Sequence, residues 1–259
     1  MVNYPNWVIL HVPHHSKQIP PALRGQFLLT DDQLTRELIL MTDEGCRELF
    51  NYRCENARLV QATVSRLVVD VERFTDDNQE KMASVGMGVI YTRTAHNQPL
   101  RKELTTDERN DLLKEYYYPH HEALEQQVEE VLKKYDHCII IDCHSFPSKP
   151  LPFELNQSSD RPDICVGTDD CHTSERLKNS FVTAFKESGF KVSVNEPFAG
   201  ALVPYKFYAA KEARVQSIMV EVNRKLYMDE TTGLRTDNFK NTARTITATC
   251  QQAMREVFN

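Results

Sequence analysis

Cys138-Ile139-Ile140-Ile141-Asp142-Cys143-His144-Ser145 is the stretch that decides the fold. Its unbroken apolar start, rich in β-branched isoleucine, reads as a strand buried on both faces. Its polar end runs into a proline-rich loop that closes at Pro152. Similar runs lie on either side. Upstream, Trp7 to Val12 is an apolar run stopped by Pro13, and Ala57–Ala62, Leu67–Val71 and Gly86–Tyr91 are further candidate strands. Downstream, Asp163–Gly167, Lys191–Val194 and Gln216–Val222 read the same way.

Helical patterns alternate with these strands. Thr30-Asp31-Asp32-Gln33 opens one helix, with Leu34, Leu38 and Met41 at helical spacing. Thr42-Asp43-Glu44 is expected to open a second, with Thr42 as the N-cap. Thr105 to Tyr135 is the longest helical region, and Pro119 predicts a break or sharp kink in it. Ser174–Ser188 and Phe239–Phe258 complete the set, and Pro197 to Tyr208 is expected to loop around a site. Strands alternating with helices imply an α/β fold with helices on both faces of a mixed, mostly parallel sheet. Without a linker or internal repeat, residues 1–259 read as a single three-layer domain.

Composition narrows the function classes. Charged residues make up 26% and hydrophobic ones 41%, which is ordinary globular usage. A net charge of −6 without a Lys/Arg block argues against a nucleic-acid or anionic-membrane partner. No apolar run has the roughly 20 residues of a bilayer span. Met1 to Leu10 reads as the first strand rather than a signal peptide. The seven cysteines form no CxxC pair, and reduced thiols in a cytoplasm account for them most simply. A small-molecule substrate is the expected partner, and a homo-oligomer is compatible with the sequence.

Three predicted strands end in groups that can do chemistry: Pro13-His14-His15-Ser16, Asp142-Cys143-His144-Ser145 and Glu221-Val222-Asn223-Arg224. Ligands of open α/β sheets bind outside the carboxyl ends of strands, so the three can share one crevice. Catalytic zinc takes three imidazole or carboxylate ligands and leaves one position open. His14 and His144 supply two. For the third, Asp43 comes first because a carboxylate at a helix start is favoured there, with Glu44 and Asp142 as alternatives. Glu221, on a buried strand end, suits a general base. Arg73 suits a substrate carboxylate, and Arg224 suits either that or a structural acid. Each residue also has a bland reading. A histidine after a strand is usually a loop residue, a strand-end glutamate is often a salt-bridge partner, and arginines mostly pair at surfaces. Cys143 beside His144 invites a thiol-enzyme reading, but adjacent strand residues point to opposite faces.

These residues fall within an ordered set of motifs. The set comprises Pro13-His14-His15-Ser16-Lys17-Gln18-Ile19-Pro20, Thr42-Asp43, Asp70-Val71-Glu72-Arg73, Tyr117 to Leu124, Asp142 to Pro147, Pro162 to Thr168, Asn195 to Gly200 and Glu221 to Glu230. In this order they resemble the N-formylglutamate amidohydrolase family, relatives of the zinc carboxypeptidases, from about Val8 to Glu230. The resemblance implies a zinc carboxypeptidase-like fold and hydrolysis of a short amide. It makes His14 and His144 zinc ligands, Glu221 the general base and Arg73 the carboxylate binder, with Asn195 and Gly200 on the substrate side. Carboxypeptidases place their third ligand three residues after the first histidine, where this chain has Lys17. The role therefore passes to Asp43. Glu72 stands where the family commonly has asparagine. The expectation is a zinc-dependent amidohydrolase acting on a small N-acyl amino acid such as N-formylglutamate. A hydrolase of another short amide and a non-catalytic metabolite-binding protein are the alternatives.

Overall fold

The computed structural model describes residues 3–257. Met1, at the start of the expected first strand, and Phe258, at the end of the expected last helix, lie outside the described residues. The chain begins with β1 (Val8–Val12), α1 (Asp31–Met41), α2 (Cys46–Phe50) and β2 (Arg58–Gln61). It continues through α3 (Thr106–Leu112) and α4 (Tyr118–Tyr135) to β3 (Cys138–Phe146) and β4 (Ile164–Gly167). Next come α5 (Glu175–Glu187), β5 (Val192–Val194), α6 (Tyr205–Ala210) and β6 (Val215–Asn223). The short strands β7 (Met228–Asp229) and β8 (Leu234–Arg235) precede α7 (Phe239–Glu256).

Six strands pair in the order β2-β1-β3-β6-β4-β5, all parallel to their neighbours except the antiparallel β4–β6 pair. The mixed, mostly parallel sheet expected from the apolar runs is what forms. Strand alternation divides its faces. Leu10, Ile139, Ile141, Ile218 and Val220 pack against α5 and α7 on one side. Ile9, Cys138 and Ile140 pack against α4 on the other, through Leu124, Val128 and Val131. Fully buried aromatics such as Phe181 and Phe185 fill the first layer, where truncation to alanine costs about 3–5 kcal/mol.

Three local expectations are corrected. Leu67–Val71 and Gly86–Tyr91 are not strands. Both are buried loops of a separate core that includes Leu67, Val69, Met87 and Val89. Their backbone is satisfied individually. The Arg101 guanidinium donates to the Leu67 and Val68 carbonyls, and Asp70 N–H reaches the Val89 carbonyl at 2.9 Å. An apolar run reports burial, and periodicity cannot say whether a ladder or a loop supplies it. Third, Thr42 closes α1 instead of opening α2. Gly45 caps α2 at φ 78°, where a Cβ would meet the Phe239 ring at 2.7 Å. Asp43 therefore sits in the link between the two helices. The break expected at Pro119 takes the form of two α-helices, α3 and α4, with Pro119 in the first turn of α4. The preceding residues Leu113–Tyr117 form a π-helical turn, with Tyr118 N–H bonded to the Leu113 carbonyl, and the chain stays helical through the proline.

Candidate active site

The sheet face under α4 changes character along its strands. In β3 it is apolar at Cys138 and Ile140, then polar at Asp142 and His144. Register adds neighbours from both sides: His11 pairs with Asp142 across β1–β3, and Glu221 pairs with His144 across β3–β6. His14 follows β1 after Pro13. The strand ends thus bring His14, His144 and Glu221 to the floor of one cavity of about 820 Å³, which Asp43, Glu72, Arg73, Asp142, Arg224 and Gly200 also line.

The floor is a dense set of imidazoles and carboxylates. His144 Nδ1 donates to Asp43 Oδ2 at 3.1 Å, and Asp43 Oδ2 is 3.7 Å from His14 Nδ1. On the other edge of the two rings, His14 Nε2 lies 2.9 Å from Asp70 Oδ1 and His144 Nε2 lies 3.1 Å from Asp142 Oδ1. Glu72 reaches both: Oε1 is 3.2 Å from His144 Nε2 and Oε2 is 3.6 Å from His14 Nε2. Behind Asp142, His11 Nδ1 is at 2.8 Å, and His11 Nε2 is 2.8 Å from His120 Nε2. Burial alone would lower the pKa of both site histidines, but the surrounding carboxylates reverse this. His14 is raised and His144 is raised well above the usual imidazole range.

This donor set suits a divalent ion. Tetrahedral ligands about 2.0–2.1 Å from an ion stand about 3.4 Å apart. Donor atoms of His14, Glu72 and His144 lie within 4.8 Å of one another, as do those of a second trio, His11, Glu72 and Asp142. The 3.2 and 3.6 Å separations between Glu72 oxygens and the two Nε2 atoms bracket the tetrahedral edge. Asp43 occupies a different position. Its Oδ1 accepts from Arg224 Nη2 at 2.9 Å while Oδ2 accepts from His144. It is thus placed to orient an imidazole. Glu72, which sequence reasoning passed over as a departure from the asparagine common there, is the carboxylate that reaches both Nε2 atoms. The loop holds it: Glu72 N–H donates to Asp70 Oδ1 at 3.0 Å.

Glu221 Oε2 is buried without a hydrogen-bond partner, and burial pushes its carboxyl up to about 8. Arg224 is tied to structure. Besides Asp43 it donates to the Leu40 carbonyl at 2.5 Å and to Ser145 Oγ at 3.2 Å. Arg73 keeps a buried Nε without a hydrogen-bond acceptor, 3.8 Å from Asp70 Oδ2. Gly200 lines the cavity, and its loop is fastened by Leu202 N–H to Asp142 Oδ2 at 3.0 Å. Asn195 does not line it. Its side chain accepts from Thr168 N–H at 2.9 Å and donates to Thr168 Oγ1 at 2.8 Å, serving the turn after β4. Of the alternative third ligands, Asp142 lies on the floor and Glu44 pairs with Lys17 at 2.6 Å. The Cys143 thiol points into the opposite layer, and burial raises its pKa well above the usual range, so it faces away from His144 chemistry.

The sequence profile of the N-formylglutamate amidohydrolase family matches residues 7–228. The chain belongs to that family. Among solved structures it resembles N-formylglutamate amidohydrolase from Ralstonia eutropha JMP134, at 23% identity over 97% of this chain and 94% of that one, with a TM-score of 0.82. It also resembles the gene product Atu2144 from Agrobacterium tumefaciens, at 17% identity over 97% and 90%, with a TM-score of 0.70. At these identities both likenesses speak for the fold. No curated protein matches the chain. Among the described residues no helix is long and apolar enough to cross a membrane, and all seven cysteines are free thiols.

Proposed function

We propose that the protein is a zinc-dependent amidohydrolase acting on a small N-acyl amino acid, the class to which its family's named substrate, N-formylglutamate, belongs. The observation that carries this reading is the meeting of His14, Glu72 and His144 with a buried, unpartnered Glu221 carboxyl at the ends of neighbouring strands. In this reading His14, His144 and Glu72 would hold the ion through the two Nε2 atoms, and Asp43, on the Nδ1 side of both rings, orients the imidazoles. A divalent ion held there would supply Lewis-acid chemistry, polarisation of the amide carbonyl and a lowered pKa for water.

The chain's own groups do the rest. Glu221 receives a proton at Oε2 from the attacking water and returns it to the leaving nitrogen. Burial favours this double role, because it lifts the carboxyl from the ordinary range toward the working pH. Arg73 grips the substrate carboxylate through the N–H groups that the protein leaves open. Asp43 holds His144 by its Nδ1–H, and Arg224 holds Asp43, so the imidazole keeps one orientation. The test is product analysis with purified protein and N-formyl and N-acetyl amino acids. Release of the free amino acid and the carboxylic acid is expected. A protein that holds its ion and releases neither from any of them would sink the proposal.

A further inference from the structure

The cavity offers more apolar surface and fewer open cations than a small dicarboxylate needs. Among the described residues, its only Lys or Arg side chains are Arg66, Arg73 and Arg224. Two are taken: Arg66 donates to Asp70 Oδ2 from Nη2 at 2.7 Å and from Nε at 3.2 Å, and Arg224 is bound to Asp43. Arg73 alone retains an unsatisfied buried N–H, so the cavity has one guanidinium for one carboxylate. A second carboxylate would instead meet Asp76, Glu80, Glu125 and Asp169, which also line the cavity. Backbone and side-chain amides of Asn78 and Gln79 hold the Asp76 carboxyl below its usual range, so it is charged.

The mouth is aromatic. Phe74, Tyr118, Tyr205 and Tyr208 are 50%, 47%, 74% and 45% exposed. They are all of the exposed aromatic side chains among the described residues, and all four line this one cavity. Isolated exposed apolar residues are ordinary, but a set gathered at one mouth marks a binding surface. Deeper in, Phe146 and Phe198 pair with ring centroids 5.7 Å apart. The aromatics also cluster about the open cation. Phe74 follows Arg73 in the chain, and the Tyr117 O–H donates to the Arg73 carbonyl at 3.0 Å. An amino acid whose carboxylate sits on Arg73 therefore has Phe74, Tyr117 and Tyr118 in the same cavity to receive its side chain.

We propose that the preferred substrate is an N-acyl amino acid with a single carboxylate and a large apolar or aromatic side chain, and that a second carboxylate is selected against. The proposal rests on the amidohydrolase reading above and narrows it. The experiment compares kcat/KM of the metal-loaded enzyme for N-formyl-L-phenylalanine, N-formyl-L-glutamate, N-formyl-L-lysine and N-formylglycine. Phenylalanine should exceed glutamate and lysine by about tenfold or more, the scale on which apolar pockets discriminate. Glutamate turned over as well as phenylalanine overturns the proposal. So does a lead for lysine, which would make the aromatic mouth a cation site. Phe74→Ala and Tyr118→Ala should lower the phenylalanine-to-glycine ratio several-fold, and an unchanged ratio counts against the assignment. If none of the four is hydrolysed, the amidohydrolase reading has failed and calorimetric binding to the intact protein decides. About tenfold tighter binding of the phenylalanine compound than the glutamate compound sustains the selectivity, and equal binding ends it.

Discussion

Arg224→Met should destabilise the protein by removing the cation that balances Asp43. Both side chains are buried, at 4% and 2% exposure, and joined at 2.9 Å. Breaking such a pair from one side strands a charge and costs about 3–5 kcal/mol. Unfolding entropy runs at about 2.1 cal/mol/K per residue, hence about 0.5 kcal/mol/K for 259 residues. The melting temperature should then fall by about 6–9 °C. Differential scanning calorimetry of metal-free protein measures it. The same substitution in an Asp43→Asn background should cost less than half as much, because the stranded charge is gone. A fall under about 2 °C, or the same fall in both backgrounds, would refute the pairing argument. An unmoved melting temperature with a raised KM would make Arg224 a substrate ligand instead.

Three further outcomes follow from the site and its surroundings. Glu72→Gln should abolish ion binding in competition with a chromogenic chelator, whereas Asp43→Asn should weaken it by about 10–100-fold, as for partners behind the ligands; the reverse order would restore Asp43 as third ligand. Glu221→Gln should keep the ion and lower kcat by about 10²–10⁴, and a near-normal kcat would remove Glu221 from proton transfer. Burial, helped by His11 and His121, pushes His120 from 6.5 down to about 2, so below pH 6.5 the unfolded chain takes up a proton that the folded chain refuses. Stability should therefore drop as pH falls from 6.5, by up to about 1.4 kcal/mol per pH unit, with His120→Gln flattening the profile in urea titrations. A variant as acid-sensitive as the parent would contradict this.

How much of this was legible in the sequence varied with how each residue is positioned. β1, β3, β4 and β6 announce themselves because a strand buried on both faces is mostly apolar. His14, His144 and Glu221 stand out because they are polar residues ending such strands. Glu72 was hidden for the opposite reason. It rides on a loop that mimics a strand in composition, and the Asp70 side chain sets its direction. Asp43 was read as a helix opener, but Gly45 delays α2 and leaves the carboxylate between the two imidazoles. Arg224 and Asn195 show the remaining limit. Residue type suggests a ligand-binding role, and only three-dimensional contacts reveal that Asp43 and Thr168 already occupy them.

The central claim is that a divalent ion at His14, Glu72 and His144 drives amide hydrolysis. Titrating zinc into metal-stripped protein while following release of free amino acid from an N-acyl amino acid tests it most directly. The account predicts no release without metal and a rise that breaks sharply at one ion per chain. Full activity in the metal-stripped protein, or a bound ion that brings no activity, would contradict it.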